Sequence, residues 1–552
     1  MKLAIIGLLF FFILFSAYGL YGTYIRKKFS LDDNCPTPSH EYNDGIDFIP
    51  TSKFYLFSQH FSAISAAGPI AGPIIACLLW GWLPCLVWIA LGVVLIGAVH
   101  DFSSLVLSMK HGGVSIAQVT KQRLGTHAGI AMMIFMWLAL IYVIVAFTEI
   151  TASSFVGISE ELSASHLWFN PGGAVAAAAI MYLLLSLLMG LLNYFIKPPL
   201  WLSTIIFVPL TFLAVYLGTE LSNFLIFDVK SWCLFILFYC FLASLMPVWL
   251  LLQPRGYLGG FFLYAVLIIG VIGLFFGNFE IKQEAFKGFE TGNFSGSMFP
   301  FLFVSIACGA CSGFHGLVCS GTTVKQIDRE THTQAVGYGA MLCEAFVAVI
   351  ALSTVMIWAP QEINGLKPAA IYGKGIGEFL SLLIGKEYIH LAITFGAMAF
   401  STFVFDTLDV ATRLGRYLLQ ELFHWKHKTS ALVTTIITLL PPLIFIVLAK
   451  EGSYLEFWTL FGASNQLLAA LTLLCITIWL YQSKKSIAFT LMPMLFVLII
   501  TLWALCEIAF ENLYRHNDFS MGALNGIIAI FLIGLAMYIV LCAFFKFKNK
   551  NF

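Results

Sequence analysis

The chain has 552 residues, 60% hydrophobic and 10% charged, with a net charge of +1. A soluble domain carries roughly 25% charged residues, so lipid rather than water must surround most of this chain. The near-neutral balance points to neither nucleic acid nor an acidic protein as partner.

A helix needs about 20 apolar residues to cross a hydrocarbon core of about 30 Å. By that rule the sequence predicts an all-α, polytopic membrane protein with fifteen spans. They are 3–22, 57–79, 83–108, 127–152, 172–193, 199–218, 231–251, 257–277, 298–321, 333–358, 388–411, 431–449, 456–481, 487–510 and 521–545. Leu3 to Tyr21 is too long for the apolar core of a signal peptide and lacks a small-residue cleavage pattern, so it reads as a retained helix. With the basic loop after it, that helix forms a unit over 1–56. The longest connections are 23–56, 278–297 and 359–387. Lys and Arg gather in alternate loops and in the tail 546–552 (Lys546, Lys548, Lys550), which places the C-terminus in the cytoplasm and the N-terminus outside. No Lys or Arg falls within a marked span. The cysteines, such as Cys77, Cys233, Cys240, Cys343, Cys475 and Cys542, lie almost all in apolar runs, as small buried hydrophobes do.

The second span carries Gly68-Pro69-Ile70-Ala71-Gly72-Pro73 at its middle. Proline removes a backbone donor and clashes one turn back, and glycine eases unwinding, so a broken helix is expected, its second half beginning near Pro73. Such a half-helix would aim free N–H groups at a carboxylate. Irregular backbone at that depth survives only in a protein interior or a wet cavity. Asp101 follows on the next span, in a polar stripe with Gly97, Ser104 and Ser108.

A second interruption covers Cys308 to Gly316, with Gly309, Ser312, Gly313 and His315, and Glu344 follows it on the next span above Gly337 and Gly339. Paired interruptions in corresponding places are the sequence mark of a transporter site. The pattern predicts an inverted repeat, 57–277 against 278–545, built from five-helix or seven-helix units. The expected substrate-binding residues are Gly68, Pro69, Gly72, Pro73, Gly309, Ser312, Gly313, His315 and Asn465. The alternative is two kinked helices whose glycines only allow close packing.

A carboxylate in mid-membrane costs on the order of 3 kcal/mol and needs a partner or a purpose. Asp101 and Glu344 are placed to take up and release a proton, with His60 before the first break as a third candidate for coupling. His100 neighbours Asp101 but faces elsewhere on the helix. Asp406, Asp409, Arg413 and Arg416 form a gate or structural ion-pair group, with Asp409 and Arg413 paired at i,i+4. Asn465 and Gln466, after Gly462 and Ser464, make a late polar patch. Cys308, Cys311, His315 and Cys319 are soft-ligand types, but on an intact helix they spread over about 16 Å, too far for one ion. A metal or redox protein is the rival they allow, and a non-transporting sensor is another. No cofactor motif, phosphate loop or catalytic motif is present.

Several stretches resemble the carbon starvation protein A family: HFSAISAAGPIAGP (His60 to Pro73), GAVHDF (Gly97 to Phe102), SGFHGLVCSGTTVKQ (Ser312 to Gln326), STFVFDTLDVATRLGRY (Ser401 to Tyr417) and FGASNQLLAA (Phe461 to Ala470). The resemblance covers about residues 55 to 480. It implies an inner-membrane secondary carrier, not an enzyme, that imports pyruvate or short peptides with protons under starvation. It also implies kinship with the amino acid–polyamine–organocation superfamily and its broken-helix core.

Overall fold

The computed structural model describes residues 2–45, 48–65, 67–156, 170–290, 297–425, 427, 429–448, 454–515 and 521–548. Lys550, in the expected tail, lies outside them. The described residues are helical, with isolated bridges and no strand.

Among the described residues twelve helices are long and apolar enough to cross a membrane, or thirteen with one bent pair, which makes this a multi-pass membrane protein. In chain order, α1 is Leu3–Phe29, the bent pair α2 and α3 is Lys53–Ile64 and Gly68–Trp80, α4 is Trp82–Lys110, α5 the short Ile116–Leu124 and α6 Thr126–Val156. Then come α7 Pro171–Phe195, α8 Leu200–Glu220, the 17-residue α9 Val229–Leu245 and α10 Leu252–Phe276. The second break separates α11 Met298–Ser305 from α12 Gly313–Val318, and α13 follows at Gln334–Met356. The rest are α14 Pro368–Ile384, α15 Ile389–Leu422, α16 Ser430–Leu448, α17 Tyr454–Gln482, α18 Ala488–Arg515 and α19 Met521–Lys548.

Every expected span has helical structure, but the count of fifteen is not reached by length and apolarity. Helix α9 is too short, and 298–321 is interrupted. Two connections also differ. Helix α1 runs on to Phe29, so Arg26, Lys27 and Lys28 occupy its last turn, where cations face the helix dipole favourably. The stretch 359–387 holds α14, whose Lys374 and Glu378 interrupt the apolar run and hid it from a hydropathy window. Its Gly375 and Gly377 lie against Thr354 of α13 and Ile393 of α15, leaving no room for a Cβ.

Burial sorts the helices by position. All of the most apolar stretch of α17 is buried, and 94% of that of α13, against 28% for α1, α8 and α19. The first two form the interior, and the last three face lipid.

Both breaks fall slightly earlier than the glycine and proline positions indicate. In the first, α2 ends at Ile64 and α3 starts at Gly68, bent by 41°. Pro69 therefore sits in the first turn of α3, where its missing N–H has no partner to lose, and only Pro73 lies inside the helix. The half-helix thus begins at Gly68, not near Pro73. In the second, backbone from Ile306 to Ser312 is non-helical and α12 resumes at Gly313, so His315 stands on its first turn rather than in the unwound stretch.

Residues 30–45 and 48–52 form a strap over the loop after α12. The Thr37 and Ser39 hydroxyls donate to the Ile327 carbonyl at 2.5 and 2.7 Å. The N–H groups of Ile49 and Thr51 donate to the carbonyls of Lys325 and Gln326 at 3.1 Å each. Lys110 at the end of α4 pairs with Glu330 at 2.5 Å.

Candidate functional site

Asp101 on α4, His315 on α12 and Glu344 on α13 converge in the interior, each with no exposed side-chain surface. His315 Nδ1 lies 2.8 Å from Asp101 Oδ2. Its Nε2 lies 3.3 Å from Glu344 Oε2, out of line for a hydrogen bond. Neither oxygen of Glu344 has a hydrogen-bond partner among the described residues. The other Asp101 oxygen takes His100 Nδ1 at 2.7 Å, so His100 belongs to the site although it starts from a different face of α4. Its ring packs on Gly316, where a Cβ would come within 3.2 Å of it.

Helices α4 and α13 share a local distortion. Each holds a wide turn just before its acid, Val93–Gly97 ahead of Asp101 and Gln334–Gly339 ahead of Glu344. Single π-turns of this kind recur at functional sites, because they rotate the following residues out of the normal helical register. The glycines bring the acids close. A Cβ at Gly97 would strike the Ala310 carbonyl in the second break, and one at Gly337 would press on the backbone of Phe102.

The remaining expected binding residues pack one break against the other. A Cβ at Gly68 would overlap the Cys308 side chain, one at Gly72 the Ser305 carbonyl and one at Gly313 the Asn465 carbonyl. Gly309 lies against Ala348 and the backbone of Pro69, and Pro69 and Pro73 are buried. Asn465 holds the unwound backbone: its Oδ1 accepts from Phe314 N–H at 2.8 Å, and its Nδ2 donates to Ser312 Oγ at 3.0 Å. Gln466 Nε2 donates to the Phe303 carbonyl at 2.8 Å. These two amides supply the partners that interruption of the helix removes.

His60 makes no hydrogen bond to Asp101 or Glu344 among the described residues: its Nδ1 lies 2.8 Å from Thr323 Oγ1 and its Nε2 has no partner there. It lines a cavity of about 20 Å³ with Gln59, Thr322, Thr323 and Asp406, room for a single water.

Asp406 and Asp409 are gathered by a residue that the loop count placed outside the membrane. Arg255 lies in the first turns of α10 and is completely buried. Its Nε pairs with Asp406 Oδ1 at 2.7 Å and its Nη1 with Asp409 Oδ2 at 2.5 Å. Asp409 also accepts from Tyr239 at 2.9 Å, and Ser62 donates to Asp406. The expected Asp409–Arg413 pair is therefore replaced by Asp409–Arg255. Arg413 instead caps the end of α9, donating to the Ala243 and Met246 carbonyls at 2.8 Å each. Arg255 follows Pro254 at the edge of an apolar run, so hydropathy alone gave no sign of its burial.

Among the described residues no group of three or more His, Cys, Asp or Glu side chains is arranged to hold a metal ion. Cys319 hydrogen-bonds the Asp101 carbonyl at 3.5 Å, and Cys308 lies 3.5 Å from Asn465 Nδ2. The soft-ligand rival has no geometric support.

Residues 1–374 and 363–504 match the profile of the family described as carbon starvation protein CstA. The chain is 31% identical to the peptide transporter CstA of Bacillus subtilis, over 97% of this chain and 96% of that one. It is 32% identical to the peptide transporter CstA of Campylobacter jejuni, over 88% and 77%. It is 31% identical to the pyruvate/proton symporter BtsT of Escherichia coli, over 89% and 79%. Among solved structures, the manganese transporter of Eremococcus coleocola aligns with 91% of this chain and 99% of its own, at 14% identity and a TM-score of 0.48.

Proposed function

This chain belongs to the carbon starvation protein CstA family, and from that premise we propose that it is a proton symporter importing pyruvate or short peptides. Its relatives carry the names of peptide transporters and of a pyruvate/proton symporter. The observation that carries the coupling is the buried chain Asp101–His315–Glu344, which joins the helices that follow the two breaks, α4 and α13, through one imidazole at the second break. A histidine between two carboxyls can pass a proton from one to the other without exposing charge to lipid.

In this reading substrate carboxylate binds between the segments Gly68–Pro73 and Gly309–Gly316, with Ser312 and Asn465 beside it. The closed packing of those glycines is then one state of an alternating-access cycle, and the substrate opens it. Asp101 and Glu344 carry the proton. His60 connects them toward Asp406, and the Arg255–Asp406–Asp409 group, with Arg413, latches the gate. The halves 57–277 and 278–545, which hold fourteen of the fifteen segments, form an inverted repeat. Matching wide turns before the two acids support that symmetry. The positively charged loops and the tail face the cytoplasm, and the membrane is the inner or plasma membrane.

The test is uptake of labelled pyruvate and a labelled dipeptide into proteoliposomes, with and without an inward proton gradient. Gradient-driven accumulation of either supports the reading. Asp101→Asn is expected to abolish accumulation and to spare counterflow exchange. Full accumulation in that variant would remove Asp101 from coupling.

A further inference from the structure

Two segments that hold none of the site residues clamp the molecule at opposite ends. The strap lies where α1 stops at Phe29, and it binds the turn between α12 and α13. Asp33 accepts the Thr331 N–H and hydroxyl at 2.9 and 2.7 Å, and Asp32 N–H donates to Glu330 at 2.9 Å. His40 Nε2 lies 2.9 Å from Asp328 Oδ1. At the other end, residues 279–290 form a clip. The Phe279 carbonyl accepts from Leu3 N–H at 3.2 Å, so the clip lies where α1 begins. The 27 residues of α1 rise on the order of 40 Å, which puts strap and clip on opposite faces of the membrane.

The clip holds the corner between α3 and α4. Trp82 N–H donates to the Glu284 carbonyl at 3.3 Å, Leu83 N–H to the Ala285 carbonyl at 3.0 Å, and Lys287 N–H to the Trp80 carbonyl at 3.1 Å. Gly81 turns the corner at a φ of +90°, and a Cβ there would come within 2.6 Å of the Ala285 carbonyl. The clip also takes the end of α13, where Lys282 N–H donates to the Met356 carbonyl at 2.8 Å. The arrangement is reciprocal. The strap leads into the first broken helix and clamps the turn behind the second, while the clip precedes the second and clamps the corner behind the first. Each clamped turn opens a helix that carries a site acid, Asp101 on α4 or Glu344 on α13, with a wide turn between clamp and acid.

We infer that strap and clip are the two gates of the transport cycle. The strap releases the α12–α13 turn when the interior opens on its side, and the clip releases the α3–α4 corner when it opens on the other. Both are engaged in this structure, and the acids between them have no exposed side-chain surface. The clamps are hydrogen bonds at helix ends, where water can take over each partner, so they open without stranding a polar group in lipid. This gating rests on the transport reading above and gives it the parts that move at each face.

The experiment uses the full chain in proteoliposomes, with the exposed Cys35 and Cys506 replaced by Ser. Cysteine pairs are introduced one at a time and linked by a short bifunctional thiol reagent that dithiothreitol cleaves. Asp33→Cys with Thr331→Cys ties the strap to its turn, and Leu83→Cys with Ala285→Cys ties the clip to its corner. Either link is expected to slow exchange of labelled pyruvate or dialanine about tenfold, because a carrier that cannot open one face exchanges nothing, and reduction should restore it. Lys2→Cys with Glu280→Cys, which ties the clip to α1 instead, should leave exchange unchanged. Full exchange with the strap or the clip linked, the link being verified by mass, overturns the gates and leaves the transport reading standing. Equal loss from the Lys2–Glu280 link overturns them as well, since any tether would then suffice. Unlinked parent vesicles that exchange neither solute, with the chain folded by gel filtration, overturn both.

Discussion

Glu344 and Arg255 are equally buried but differ in what surrounds them, and substitution should separate the two. Glu344 has no hydrogen-bond partner among the described residues, so Glu344→Gln removes a charge without stranding one. The expected outcome is a chain of unchanged thermal stability that no longer accumulates substrate against its gradient, measured by melting in detergent beside uptake. Arg255 is the counter-charge of two aspartates, and breaking a buried pair from one side costs about 3–5 kcal/mol. Arg255→Gln should therefore lower the melting temperature sharply or abolish folded protein. Recovery of stability in Arg255→Gln combined with Asp406→Asn and Asp409→Asn would identify the stranded carboxylates as the cause. The acids and His315 were legible in the sequence, because ionisable groups in apolar runs stand out. Arg255 was not, since a cation at the edge of a span looks like a loop residue until the helices around it are known.

At the scale of elements, the breaks are set by glycines that allow backbone contact and by amides that satisfy it. Gly72→Ala would drive a methyl into the Ser305 carbonyl, and overpacking of this kind costs about 1–3 kcal/mol. Gly534→Ala on α19 meets nothing within 4 Å and should melt like the parent chain. The strap offers a test outside the membrane. Asp33 accepts from the Thr331 N–H at 2.9 Å and its hydroxyl at 2.7 Å. Partial burial pushes that carboxyl up, but these two bonds, helped by nearby His332 and Arg329, outweigh it and hold it below its ordinary value. A lowered folded value contributes stability above the unfolded value and loses it as pH falls through the folded one. Protection of the Thr331 amide, corrected for intrinsic exchange, should stay constant from pH 8 to 5 and drop in Asp33→Ala. Helix existence was readable from apolar length. The position of each break within a few residues was not, because it depends on which carbonyls find Asn465, Gln466 and one another.

Across the whole molecule, the interior is α13 and α17 and the lipid face is α1, α8 and α19. Leu473 on α17 is fully buried and Phe531 on α19 half exposed. Leu473→Ala should leave a cavity costing about 2–5 kcal/mol. Phe531→Ala should cost far less, because acyl chains fill the space it vacates. Comparable melting shifts for the two would mean that α19 is covered by protein.

Composition alone determined that this chain lives in lipid, since no aqueous surface can be made from one charged residue in ten. Apolar run length determined nearly every helix, and glycine, proline and polar residues inside two apolar runs marked the segments that would break. Only the tertiary structure decided which helices are inside, because all of them are apolar and lipid and protein reward apolar residues alike. It also decided who pairs with whom. Asp101 meets His315 across 214 positions and Asp406 meets Arg255 across 151, and contacts at such separation leave no periodicity in the chain from which they could be read.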